Sequence, residues 1–279
     1  MIRLGRKPFF FYLFLLLAFS GSGQNIFNAG NSKKFARYLF NTQQYNLAAI
    51  EYERILNISS PDAEVSSQLL KSFRLGNICN NSFQRIDNLE LYRFFSNDTV
   101  SREFLNLALT CNCCYEYGRF QKALTALNDE EQAFYRLGYF FFEEELDSLY
   151  NFNTSNSVLL SASYPSVFQS IEKMDNFRKK SLGLAMAMSA ILPGSGKAYS
   201  GFWGDAVMSL LFVSSNAWLS YRGFEKRGVK SASGWIFGGA TLGFYFGNIW
   251  GSSRAAKTYN RIEYEKLYNE AKSNIYNHF

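Results

Sequence analysis

The sequence predicts an all-α protein: a helical solenoid followed by a transmembrane helical hairpin, with a short re-entrant or interfacial helix ahead of the hairpin. Three observations carry this. From Asn31 onward apolar residues recur at helical spacing, with small residues where paired helices would cross. Two later apolar segments, 203–221 and 235–250, hold all four tryptophans near their ends, the placement expected at a membrane–water interface. The second segment carries glycine at every fourth position, Gly239, Gly243, Gly247 and Gly251, a small-residue stripe suited to close helix contact.

Residues 1–23 read as a secretory signal. Arg3, Arg6 and Lys7 precede an apolar core at 9–19 and a small-residue stretch at 20–23, which predicts cleavage before Gln24. The segment resembles export signals of Bacteroidota proteins, in which glutamine often follows the cut. Its core is short against the roughly twenty residues of a span, and an uncleaved anchor is the alternative. No cysteine follows the core, which excludes lipoprotein processing.

Residues 24–150 form the expected repeat region. Phe35, Ala36, Leu39, Tyr45, Ala48, Tyr52, Ile55 and Pro61 follow a large-and-small pattern in which Ala36 and Ala48 let two antiparallel helices approach. A second copy places Cys111, Gly118, Phe120 and Ala123 in the same roles, and a degenerate one lies between them. This pattern resembles the tetratricopeptide repeat, which implies a stack of helical hairpins that binds a peptide or a partner helix. All four cysteines fall here. In an oxidising compartment a disulfide from Cys79 to Cys111 or Cys114 is expected.

Residues 151–180 read as a Ser/Asn-rich linker and, beyond Pro165, an amphipathic helix with Val167, Ile171 and Met174 on one face. That helix either lies on the membrane surface or caps the repeats. The membrane domain is expected at 181–253. Its first segment, 181–192, offers about 18 Å of helix against a hydrocarbon core of about 30 Å, so a half-helix fits better than a span. The loop 222–230 carries Arg222, Lys226, Arg227 and Lys230, which places it on the cytoplasmic side. A tail helix is expected over 254–279, with Tyr264, Leu267, Tyr268, Ala271 and Ile275 on one side.

The run from Leu192 to Lys197 invites comparison with a phosphate-binding loop. Ile191 and Ala198 stand where that loop needs glycine and a hydroxyl, so a glycine-rich turn is the better reading. Pro193, Gly194, Gly196, Tyr199 and Gly201, then Asp205, then Tyr245, Asn248 and Gly251, followed by Ala255, Tyr259 and Asn260, resemble a recurring bacterial membrane domain of unknown function found in envelope proteins. Lys197 stands where that family often has glutamine. The resemblance implies no activity.

Net charge is +6, but the basic residues gather beside the apolar segments, which argues against nucleic-acid binding. The single histidine is His278, the cysteine spacing does not suit zinc, and no paired carboxylates or nucleophile motif occur. No catalytic residue, cofactor or metal site is expected. The sequence thus predicts a non-enzymatic scaffold anchored in the inner (cytoplasmic) membrane, with periplasmic repeats holding an unidentified protein or peptide. Membrane lipid is its other neighbour. The alternative is a subunit of an oligomeric envelope channel or export complex, in which Asp205, Asn216 and Asn248 of a homo-oligomer would line a shared interior.

Overall fold

The structure, a computed structural model, describes residues 28–59, 62–112 and 117–279. The expected signal at 1–23, Pro61 and Cys114 lie outside the described residues. Among those described, every regular element is a helix, so the protein is all-α. The chain divides into two units, Met1–Glu143 and Glu144–Phe279.

The N-terminal unit holds α1 (Ala29–Asn41), α2 (Tyr45–Ile58), α3 (Ala63–Leu75), α4 (Ser82–Asn88), α5 (Asp98–Cys111), α6 (Tyr117–Leu124) and α7 (Asp129–Phe142). Its many asparagines have local work to do. Asn28, Asn97 and Asn128 each accept a backbone N–H in the first turn of α1, α5 and α7. Asn77, Asn81 and Asn112 take up left-handed conformations at helix ends, which asparagine tolerates better than most residues. Ala36, Ala48, Ala49, Ala108 and Ala123 are fully buried, and Phe73, Phe95, Phe104, Phe120 and Phe134 fill the core around them. Phe35 departs from the expected pattern and is half exposed on α1. At Gly118 an added Cβ would meet nothing, so packing does not require its smallness.

Polar ties along this unit recur at a nearly constant sequence offset. Arg74 pairs with Glu103 and Arg102 with Glu131, each 29 residues apart. Tyr135 donates to Asn106 at the same offset. Arg85 pairs with Glu53, and Arg119 with Asp87, at 32. A disulfide joins Cys79 to Cys111, also 32 apart, which selects one of the two expected pairings. The Lys33 ammonium beside Asp62 holds that carboxyl below its ordinary range.

The C-terminal unit holds α8 (Leu146–Ser155), α9 (Ser157–Ser163), α10 (Pro165–Asp175), α11 (Leu182–Ile191), α12 (Ser195–Tyr199), α13 (Trp203–Arg227) and α14 (Ala232–Tyr276). The segment 151–163, expected as a linker, is helical instead: Asn153 and Leu160 are buried, and Asn156 donates to Phe152 O at the end of α8. Val167, Ile171 and Met174 of α10 are buried, and α10 packs against α14. The apolar face expected at a membrane surface is therefore covered by protein. Nor is the tail a separate helix. It continues α14 without a break, and Ala271 and Ile275 turn inward there.

Tyr150 of α8 lies beside Tyr264 of α14, and burial pushes its phenol up to about 12. The folded chain then keeps a proton that the unfolded chain, titrating near 10, gives up. This stabilisation is whole below the unfolded value and is lost as pH rises towards about 12. Tyr150→Phe is expected to flatten the alkaline loss of stability in that window. Urea unfolding at a series of alkaline pH values checks it; an unchanged slope would contradict the burial.

Candidate functional site: a polar knot inside an apolar shell

The helices α11 to α14 meet around hydrogen bonds rather than around an apolar core. Asn248, buried on α14, accepts the Gly194 N–H through Oδ1 at 3.0 Å and donates from Nδ2 to the Ser189 carbonyl at 3.3 Å. Tyr245 donates its hydroxyl to the Ala190 carbonyl at 2.7 Å. Together they satisfy carbonyls that the end of α11 leaves without helical partners. Ser189 Oγ meets Ser252 Oγ at 2.6 Å and accepts the Gly196 N–H at 2.9 Å. At the other end of α11, Asn260 accepts from Lys180 N and donates to Lys180 O.

The knot gathers most of the residues singled out in the sequence. Gly194 and Gly201 have φ of 92° and 87°, so the turn around α12 needs glycine at both. Tyr199 contributes its hydroxyl to Ser181 N and its carbonyl to the Lys180 ammonium. Gly251 seats the stem of Lys197, whose Cε would lie 3.3 Å from an added Cβ. Pro193 and Asp205 flank the same elements, in separate cavities. Asn216 is elsewhere: half-buried, it donates to Phe212 O of its own helix. Asp205, Asn216 and Asn248 of one chain therefore do not line a common interior.

The glycine stripe is where expectation and structure part. An added Cβ at Gly239, Gly243 or Gly247 would meet nothing within 4 Å, so these three do not bring α13 and α14 together. The close approach runs through other small residues. A Cβ on Gly223 would lie 2.7 Å from Gly234 N, and one on Gly238 would lie 3.1 Å from Ser220 Oγ. Ser220 Oγ donates to the Gly234 carbonyl across the pair. Sequence reasoning missed Ser189, Ser220 and Ser252 altogether. Their only signal was position: Ser252 falls one turn beyond Asn248 on α14, while Ser189 and Ser220 sit on the helices that pack against α14.

Around the knot the usual arrangement is inverted. Ser189, Ser200, Ser220, Ser231, Asn248 and Ser252 are buried, while all four tryptophans are between 60% and 69% exposed. Ile236, Phe246, Leu211 and Val207 are exposed beside them. Soluble proteins bury such side chains. Arg254 lies over the Trp250 ring at 3.9 Å. No helix among the described residues is long and apolar enough to cross a membrane.

No protein-family model matches the chain, and neither a curated protein nor a solved structure does. The arrangement must therefore be read from its own chemistry.

Proposed function

We propose that the C-terminal unit is a lipid-embedded anchor and that the N-terminal unit is a repeat scaffold, carried outside the inner membrane, that binds a protein or peptide partner. One observation carries the anchor: Ser189, Ser200, Ser220, Ser231, Asn248 and Ser252 are buried, while the tryptophans and many phenylalanine and aliphatic side chains are turned outward. Lipid as solvent demands this order, because an unpaired backbone or side-chain dipole in hydrocarbon costs several kcal/mol. Helix-averaged hydropathy does not carry the reading. Ser220, Gly234, Asn248 and Ser252, buried on α13 and α14, lower the average without touching the surroundings, and the outward Gly239, Gly243 and Gly247 lower it while presenting no polar side chain. Along the helix axis about 27 Å separates Trp203 from Tyr221 and about 22 Å separates Trp235 from Trp250, near but below the thickness of a hydrocarbon core of about 30 Å. The four basic residues of 222–230 then mark the cytoplasmic end.

The repeat reading of the N-terminal unit rests on the constant offset of its ties. A hairpin stacked on its predecessor brings equivalent residues together once per repeat. The ties run over 29 to 32 residues, and successive first helices begin at Ala29, Ala63, Asp98 and Asp129, a spacing that supports a tetratricopeptide-like period of about 34. Such a stack offers a surface and no reacting groups, which favours a non-enzymatic role.

The anchor is tested with the full chain. It is expected to stay with membranes through alkaline carbonate extraction, and its tryptophan emission to be quenched by lipids brominated near the headgroup. Recovery as a water-soluble monomer with unquenched tryptophan would refute the reading.

A further inference from the structure

The C-terminal unit contains a cavity of about 290 Å³ between α12, α13 and α14, which borders the knot at Asn248 and opens away from it towards Lys197 and Asp205. Its walls combine three kinds of chemistry. Lys197 and Asp205 supply opposite charges, Ser209 and Asn248 supply dipoles, and Phe212, Phe244 and Met208 supply apolar surface. Gly243 and Gly247 form its floor, and both face open space.

Lys197 is placed there deliberately by its neighbours. Its stem lies on Gly251, and its Nζ donates to Ser209 Oγ at 2.8 Å. An ammonium has three donors, and Lys197 makes no ion pair among the described residues. Asp205 shares the cavity wall without pairing to it. A lysine beside a carboxylate usually closes on it, so two opposite charges held apart mark a space for something carrying both. Beyond them the trough runs along α14 from Gly247 to Gly243. The Phe212 and Phe244 rings stack at its end, with centroids 5.3 Å apart.

We propose that this cavity binds a zwitterionic phospholipid of the phosphatidylethanolamine kind. The phosphate accepts from Lys197 Nζ, the headgroup ammonium meets Asp205, and one acyl chain lies over Gly247 and Gly243 against Phe212 and Phe244. A free phosphate would leave the apolar trough unfilled and would face Asp205 uncompensated. A purely anionic lipid would meet that same repulsion, which is how the site discriminates. The inference rests on the lipid-embedded reading of α13 and α14, and extends it from lipid as solvent to lipid as ligand.

The test uses the full chain in dodecyl maltoside micelles, with native mass spectrometry counting bound palmitoyl-oleoyl phosphatidylethanolamine against the matching phosphatidylglycerol. The wild-type chain is expected to retain one phosphatidylethanolamine in preference. Lys197→Gln should weaken retention by about tenfold, the loss of one charge-assisted hydrogen bond, and Lys197→Arg should keep it. Gly247→Leu, whose side chain enters the trough without meeting backbone, should block it, and Asp205→Asn should move the preference towards phosphatidylglycerol. Retention unchanged in both Lys197→Gln and Gly247→Leu would overturn the site, as would displacement of the lipid by excess inorganic phosphate. Carbonate extraction of the same variants separates the two ideas. Chains that stay in the membrane with unaltered lipid retention defeat the site alone, whereas a wild-type chain that leaves the membrane defeats the anchor.

Discussion

Alanine at Gly196 is expected to unseat α12 and to lower the unfolding free energy by about 4 kcal/mol or more, the range that a backbone collision in a packed interior produces. A Cβ there would lie 1.8 Å from the Ala185 carbonyl oxygen and 2.8 Å from Ser189 Oγ. Neither neighbour yields cheaply. The Ala185 carbonyl belongs to the backbone of α11, and Ser189 Oγ already bonds Gly196 N and Ser252 Oγ. Relief would require moving α12 off α11, which breaks the bond from Gly194 N to Asn248 as well. Gly247→Ala and Gly239→Ala are the controls. Their Cβ positions are open, and alanine gains about 1 kcal/mol of helix propensity over glycine, so both should hold or slightly raise stability. Thermal unfolding of the full chain in one detergent compares them directly. Similar losses at Gly196 and Gly247 would show that the stripe, not the knot, holds the hairpin.

This contrast also shows why the stripe misled. Residues four apart on a helix advance by about 40° beyond a full turn, so Gly239 and Gly251 differ by about 120° around α14. One end of the series seats Lys197 and the rest looks outward. A partner helix contacts positions three and four apart in alternation, and here those are Gly234, Gly238, Tyr245, Asn248 and Ser252. The composition of the stripe was visible in the sequence; its phase was not. By contrast, the motif around Pro193 and Asn248 was legible because its residues are chemically demanding: glycines at positive φ, an amide able to donate and accept, a tyrosine hydroxyl that reaches a helix end. The serines that complete the knot were not legible, since a serine in an apolar helix can also satisfy itself on its own backbone, as Ser214 does on Leu210 O. The Ser/Asn-rich segment 151–163 misread for a related reason. Its side chains fit turns in isolation, but burial of Leu149, Leu160 and Val167 holds them in helices.

Removing the disulfide is expected to destabilise the N-terminal unit by about 3.7 kcal/mol, the chain-entropy value for a closed loop of this size. Cys79 and Cys111 are 32 residues apart, and the bond spans the same interval as the Arg85–Glu53 and Arg119–Asp87 pairs. It thus restrains the unfolded chain along a path that the folded unit already ties with ion pairs. Those pairs are partly exposed and individually weak, so they do not replace it. The measurement exploits the tryptophan distribution. All four lie in the C-terminal unit, so tryptophan emission follows that unit alone while far-ultraviolet circular dichroism follows both. The double variant Cys79→Ser, Cys111→Ser removes both partners of the described bond together, so neither is left as a free thiol. It should lower the midpoint of the dichroism transition and leave the tryptophan transition where it was. Equal shifts in both signals would mean that the units unfold together, and no shift in either would remove the disulfide from the stability of the repeats.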